Sequence, residues 1–241
     1  MTKLIYLENM QLLESSARIE DIKELENGTI SIVLDQTVFY PQGGGQPYDN
    51  GLILKNQDTT FNVTEVRFNE GLVHHIGVYI SGKFNIGDEI KCIVEKSRRD
   101  LHTRFHSAGH LVDMGLFELG KKWKPTKGYH FPQGAYVEYE LSDNVFDESL
   151  IKELEMKCNE IIKRNIDTKI MFMDKSEMSK YCHFVPDFLP ERKPSRIVLY
   201  GEFGVPCGGT HCKNLSEIQN ITIRKIKKEK DMIRVSYDVN N

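Results

Sequence analysis

Two short motifs constrain this chain more than anything else in it: the pair His106 and His110 in "HSAGH", and the pair Cys207 and His211 in "PCGGTHC". Histidines at i and i+4 of a helix share one face, one turn apart, so both imidazoles can converge on one ion. Ser107, Ala108 and Gly109 between them are small and leave room for another element. In the second motif Gly208 and Gly209 permit a sharp turn that aims Cys207 and His211 at one point. Three imidazole nitrogens and one sulfur make a zinc ligand set, one ion per chain. Any fold this sequence adopts must therefore bring together segments roughly a hundred residues apart. His106, His110 and Cys207 are the firm ligands and the candidate catalytic centre. His211 either completes the set or yields its place to water or substrate.

The other histidines and cysteines compete poorly. Five cysteines form an odd count without framework spacing, so metal or catalytic roles outrank disulfides. Cys92 and Cys158 read as small buried hydrophobes. His102 sits at a helix start and reads as a neighbour of the site, and His74 and His75 point to opposite faces of a strand. Cys182 and His183 form an adjacent pair of weaker standing. Cys212 should point away from the ion if His211 binds it.

No apolar run reaches the ~20 residues of a membrane helix. The N-terminal "MTKLIYLENMQLLESS" mixes charge into its apolar stretch, unlike a secretory signal, so a cytoplasmic location is expected. A formal charge of −3 means that a nucleic-acid partner must be met by a local patch.

Residues 1–95 read as β, with short apolar runs such as "TISIVLD" and "TTFNVTEVRF" punctuated by Asn27-Gly28, Ser81-Gly82 and Gly87-Asp88. The spacing predicts a small β-barrel-like domain that includes a glycine-rich segment. Residues 98–119 show helical spacing, with Leu101, Phe105, Ala108, Leu111, Val112, Leu116 and Phe117 in one stripe. A break at "GKKWKPTKG" precedes strand-like "YHF" and "AYVEYEL". A second helix is predicted over about 146–165, from Phe146 with Asp147 and Glu148 in its first turn. A strand "TKIMFM", a short helix "KSEMSKYC", a strand "RIVLY" and the pair "NITIRKI" and "MIRVSYDV" complete the chain. The expected class is α+β, with a boundary near residue 96 and a two-layer α+β domain over 96–241.

Together, "LDQTVFYPQGGGQPYDNG", "HSAGH", "KGYHFPQGAYVEYE" and "GEFGVPCGGTHC", in that order, resemble the alanyl-tRNA editing proteins of the AlaX family, medium-length type. That family is a free-standing counterpart of the editing domain of alanyl-tRNA synthetase. The chain departs from it at Cys212, where a branched apolar residue is common, and at Gly109, where a larger residue is. The resemblance implies a zinc-containing editing domain that hydrolyses the ester of mischarged tRNA-Ala, carrying serine or glycine. It also implies that Thr37 and Gln46 line the amino-acid pocket, with Gly44 in the run that lets the backbone approach the ligand. A polar side chain there would pair with a serine hydroxyl and leave alanine without a match.

For tRNA the candidate surface is "KSRR", with Lys96, Arg98 and Arg99, and "KKWKPTK", with Lys121, Lys122, Trp123, Lys124 and Lys127. Cations interleaved with an aromatic can grip phosphate and stack an unpaired base. "RKIKKEK" near the C-terminus reads as an exposed strand face. A non-catalytic zinc-stabilised RNA-binding module is the alternative reading. A ligase is not, since no phosphate-binding Gly-Lys motif is present. The chain is expected to work as a monomer or homodimer.

Overall fold

Short runs of β-branched and aromatic residues, broken by turns, close the N-terminal segment on itself. The computed structural model describes residues 1–56, 58–140, 149–191, 193–229 and 231–239. They fall into two units, Met1–Gly43 with Pro47–Leu101, and Gly44–Gln46 with His102–Asn241. Three residues of the glycine run thus group with the second unit.

The first unit contains β1 (Lys3–Leu4), α1 (Ile5–Glu8), β2 (Glu14–Glu24), β3 (Ile30–Leu34), β4 (Gln36–Thr37), β5 (Gly51–Leu54), β6 (Thr60–Asn69), β7 (Leu72–Ser81) and β8 (Glu89–Val94). Six of these strands form a closed barrel in the order β2-β3-β7-β6-β5-β8, which leaves no open edge. In β6 the inward residues are Phe61, Val63 and Val66. The step from Val63 to Val66 breaks strict alternation because a bulge at Val63/Glu65 inserts one residue. β2 escapes sequence reading: "ESSARIEDIKE" buries only Ala17 and Ile19, and its charged residues face outward.

Helix α2 (Lys96–Glu118) begins in the first unit, where Arg99 is anchored. Its guanidinium is 2.5 Å from the buried Asp49 carboxylate and donates to the Val38 carbonyl at 2.7 Å. Removing either member of such a buried pair leaves an uncompensated charge, costing about 3–5 kcal/mol.

In the second unit, β9 (Lys124–Tyr129), β10 (Tyr136–Glu140), β14 (Ile221–Glu229) and β15 (Met232–Val239) form an antiparallel sheet in the order β14-β15-β10-β9. A smaller sheet has β12 (Ser195–Tyr200) between β11 (Thr168–Met173) and β13 (Phe203–Pro206). Helix α3 (Ser149–Lys163) buries Leu150, Leu154, Cys158, Ile161 and Ile162. Residues 146–148 of the predicted second helix lie outside the described residues. The expected break at 120–128 is corrected as well, because Lys124–Tyr129 pairs with β10 as an edge strand.

Helix α2 was expected to bury a single stripe. Instead it is buried almost all round from His102 to Leu116, whereas Phe117 is exposed. The reason is that its polar residues Thr103, His106, Ser107, His110 and Asp113 are buried too. They wall the site described next. Among the described residues, no helix is long and apolar enough to cross a membrane.

Candidate metal centre

One turn of α2 presents His106 and His110, and the segment leaving β13 presents Cys207 and His211. One ligand atom from each of these four residues lies within 4.8 Å of every other. The Cys207 sulfur is 3.4 Å from His106 Nε2 and 3.3 Å from His211 Nε2. Ligands held at ~2.1 and ~2.3 Å around a tetrahedral zinc stand roughly 3.6 Å apart, so these separations suit an ion. The remaining nitrogen, His110 Nε2, is buried and has no hydrogen-bond partner among the described residues. A buried imidazole nitrogen with nothing to bond is costly unless a ligand engages it. Donor chemistry, spacing and this orphaned atom all fit a metal ion.

The far side of each ligand is held in turn. His106 Nδ1 lies 2.7 Å from Gln46 Oε1, and that amide oxygen also accepts from the Thr210 backbone N–H at 3.0 Å. The backbone donor fixes which way the carboxamide points, so His106 carries its proton on Nδ1 and its lone pair on Nε2. Gln46 Nε2 donates to Thr210 Oγ1 at 2.8 Å, and Thr210 Oγ1 lies 2.7 Å from Thr103 Oγ1. His110 Nδ1 reaches Asp113 Oδ2 at 3.3 Å, while Asp113 Oδ1 accepts from Tyr139 at 2.5 Å. His211 Nδ1 is 2.9 Å from the Tyr200 hydroxyl. The Cys207 sulfur accepts from the Gly209 N–H at 3.3 Å.

Electrostatics favour the ligand forms of His106, His211 and Cys207, and the protonated form of His110. Burial, then the neighbouring imidazoles and Arg196, hold His106 and His211 well below the usual histidine range. Burial pushes the Cys207 thiol up, but His110, the Gly209 N–H and Arg196 together outweigh it and the net shift is downward. For His110 burial pulls down, and the Cys207 and Asp113 charges reverse the sign and raise it to about 10. A cation arriving at Nε2 replaces that proton.

Local packing explains the sequence around the ligands. Gly208 and Gly209 were read as turn formers, yet neither has a positive φ. Gly209 is required for a different reason: a Cβ there would lie 2.1 Å from His106 Cε1. Arg196 clamps the loop by donating to the carbonyls of Cys207 at 2.6 Å and Gly209 at 3.0 Å. Gly109 admits His130, whose Cε1 would be 2.3 Å from an added Cβ. The His130 ring stacks on His106 with centroids 4.5 Å apart, and its Nδ1 is 2.7 Å from the Tyr237 hydroxyl. The motif reading missed His130, Asp113, Tyr139, Tyr200 and Arg196. For Asp113 a signal existed, an acid at i+3 from a ligand histidine.

The remaining expected residues are scattered. Thr37 is fully buried in the first unit, 2.8 Å from His75 Nε2, and Gly44 sits at φ 54° in the glycine run. Cys212 is buried and outside the ligand cluster, its backbone N–H bonded to Ser107 Oγ. Arg98 donates to the Tyr48 carbonyl and lies over the Tyr48 ring. Two expectations for the RNA surface are corrected. Arg99 is buried and spends its guanidinium on Asp49, so it presents no donor to a phosphate. Trp123 is 2% exposed, packed near Tyr139, and offers no face to a base. Lys122 and Lys124 are exposed; Lys121 is partly so and lies over the Trp123 ring.

A family profile described as tRNA synthetases class II (A) matches residues 5–98. A second, described as the threonyl and alanyl tRNA synthetase second additional domain, matches residues 196–235, which contain Cys207 and His211. The chain is 31% identical to the alanyl-tRNA editing protein AlaX-M of Methanosarcina barkeri, over 98% of both proteins. It is 30% identical to the AlaX-M protein of Saccharolobus solfataricus, over 99% of both. With the alanine–tRNA ligase of Halobacterium salinarum it shares 28% identity, over 95% of this chain but 25% of the ligase.

Proposed function

The chain belongs to the alanyl-tRNA editing protein (AlaX) family, and we propose that it is a trans-acting deacylase of mischarged tRNA-Ala whose pocket holds one zinc ion on His106, His110, Cys207 and His211. The observation that carries this reading is the mutual approach of these four ligand atoms to within 4.8 Å, each braced by a hydrogen bond on its far side or at the sulfur.

The reaction adds water across an ester: the bond between the acyl carbon and the ribose oxygen breaks, hydroxide joins the carbon and a proton joins the ribose oxygen. An aminoacyl ester is already activated, so positioning and charge stabilisation suffice. Bound zinc supplies Lewis acidity, or a water of lowered pKa if a coordination position is open. The chain's own residues orient the imidazoles and the sulfur through Gln46, Asp113, Tyr200 and Gly209.

Thr37 serves as the side chain that senses serine. His75 Nδ1 donates to the Ile32 carbonyl at 3.0 Å, so its Nε2 must accept the Thr37 hydroxyl proton. Thr37 Oγ1 also accepts from the Phe39 N–H at 3.0 Å. One lone pair is then left, an acceptor for a serine hydroxyl with no counterpart in alanine. Gln46 keeps one amide hydrogen beyond its bond to Thr210. Gly44 lies two residues before it in the glycine run.

The test is hydrolysis of Ser-, Gly- and Ala-charged tRNA-Ala by substoichiometric protein, before and after metal stripping. Loss of the seryl or glycyl ester with alanyl ester spared, abolished by stripping and restored by zinc, is the expected result. Zinc binding without turnover would favour a non-catalytic RNA-binding module.

A further inference from the structure

The larger sheet of the second unit has an outer face that the metal site does not use. Cross-strand register lines up two rows on it. Tyr129 faces Tyr136, which faces Ser236, which faces Lys225; Lys127 faces Glu138, which faces Arg234, which faces Lys227. The intervening residues Val137, Val235, Tyr237 and Ile226 are buried on the opposite side.

On this face the rings form a ladder. Phe131 and Tyr129 are stacked with centroids 4.4 Å apart and planes 15° from parallel, and Tyr129 and Tyr136 are stacked at 5.2 Å and 17°. The Arg234 guanidinium lies 4.2 Å from the Tyr136 centroid, and Lys127 Nζ lies 5.9 Å from it. All three rings are half-buried, and Lys127, Arg234, Lys225 and Lys227 are exposed. Solvated antiparallel sheet faces ordinarily carry polar residues, so near-parallel rings held open to water call for a partner.

We propose that this face binds unpaired nucleotides of an RNA, with a base extending the ladder at Phe131 and phosphates meeting Arg234, Lys127, Lys225 and Lys227. Charge complementarity selects the partner. Within these two rows, among the described side chains, the four cations surround one acid, Glu138, which is itself bonded to Arg234 at 3.0 Å, whereas the whole chain carries a formal charge of −3. Glu140 and Asp238 stand at opposite ends of the face, opposite Lys124 and Thr222 respectively. Flat rings in register with cations match the stacking-plus-phosphate mode by which proteins hold single strands. They do not match a continuous apolar patch for a protein partner. The proposal rests on the deacylase reading for the identity of the RNA, but not for the surface itself.

Fluorescence anisotropy with uncharged tRNA-Ala, and with a short single-stranded oligonucleotide of its 3′ end, measures binding apart from hydrolysis. Phe131→Ala removes the ladder's end, and Lys225→Glu with Lys227→Glu reverses two exposed charges. Each variant should raise Kd roughly tenfold, and the double charge reversal should flatten the salt dependence by at least ~0.7 in logarithmic slope per lysine. Unchanged zinc content certifies the fold. Wild-type Kd and salt slope in both variants, or no RNA binding by the unaltered chain, would overturn the proposal. If the unaltered chain binds RNA but hydrolyses no ester, and the variants lose binding, the surface stands and the deacylase reading falls. If hydrolysis proceeds with unchanged KM in both variants, the surface falls and the deacylase reading stands.

Discussion

His106 Nδ1 donates to Gln46 Oε1 across 2.7 Å, joining a helix ligand to the residue that ends the glycine run. This bond leaves the Nε2 lone pair for the ion. Gln46→Leu removes the acceptor while keeping similar bulk. Partners of this kind typically carry 10–100-fold in metal affinity, so a chelator-competition titration should show zinc held roughly tenfold more weakly or worse. Unchanged affinity would reduce Gln46 to a substrate contact alone.

Gly109 pits two effects against each other. Alanine in a helix interior is worth about 1 kcal/mol over glycine. Against this, the new Cβ would sit 2.3 Å from His130 Cε1, and overpacking of this kind costs about 1–3 kcal/mol. Gly109→Ala should therefore lower the midpoint of urea unfolding and weaken zinc binding, because His130 cannot move without disturbing the His106 ring on which it stacks. A stabilised variant would refute this packing argument.

Replacing Thr37→Val keeps the shape and removes the hydroxyl that His75 orients. The ratio of kcat/KM for seryl over alanyl ester should fall by about tenfold, the worth of one hydrogen bond in a site built to make it. Assays of both esters at equal enzyme concentration give the answer. An unaltered ratio would move serine recognition elsewhere.

Burial lowers the pKa of His75 from 6.5 to about 4, since a charged imidazole would be costly inside the barrel. The unfolded chain therefore binds this proton between pH 6.5 and 4, and the folded chain does not. Stability from this group is complete above pH 6.5 and is lost progressively as pH falls through that window, by about 3 kcal/mol in total. Urea melts at pH 7 and 4.5 should show the loss, and His75→Asn should shrink it. An equal loss in the variant would assign acid lability to other groups.

The histidine–cysteine cluster was legible because a helical i, i+4 pair and a glycine-flanked cysteine–histidine pair need only local geometry to declare themselves. The barrel was legible from runs such as β6, where apolar alternation survives despite a bulge. β2 was not, because it fully buries only two of its eleven residues and, Ile22 apart, the rest are polar. Tyr139, Tyr200 and His130 reach the site through tertiary pairing, as when the His130 N–H donates to the Gly45 carbonyl at 2.8 Å. No sequence spacing encodes that. Arg99 and Trp123 were misjudged for the converse reason: residue type suggested a surface, and burial assigned them to the interior.

X-ray absorption at the zinc edge, on protein loaded with one equivalent of zinc, tests most directly whether a single ion joins the two segments. One sulfur at ~2.3 Å and two or three imidazole nitrogens at ~2.0 Å are expected, with the sulfur lost in Cys207→Ser. A shell of nitrogen and oxygen alone in the unaltered chain, or a sulfur that persists in that variant, would contradict it.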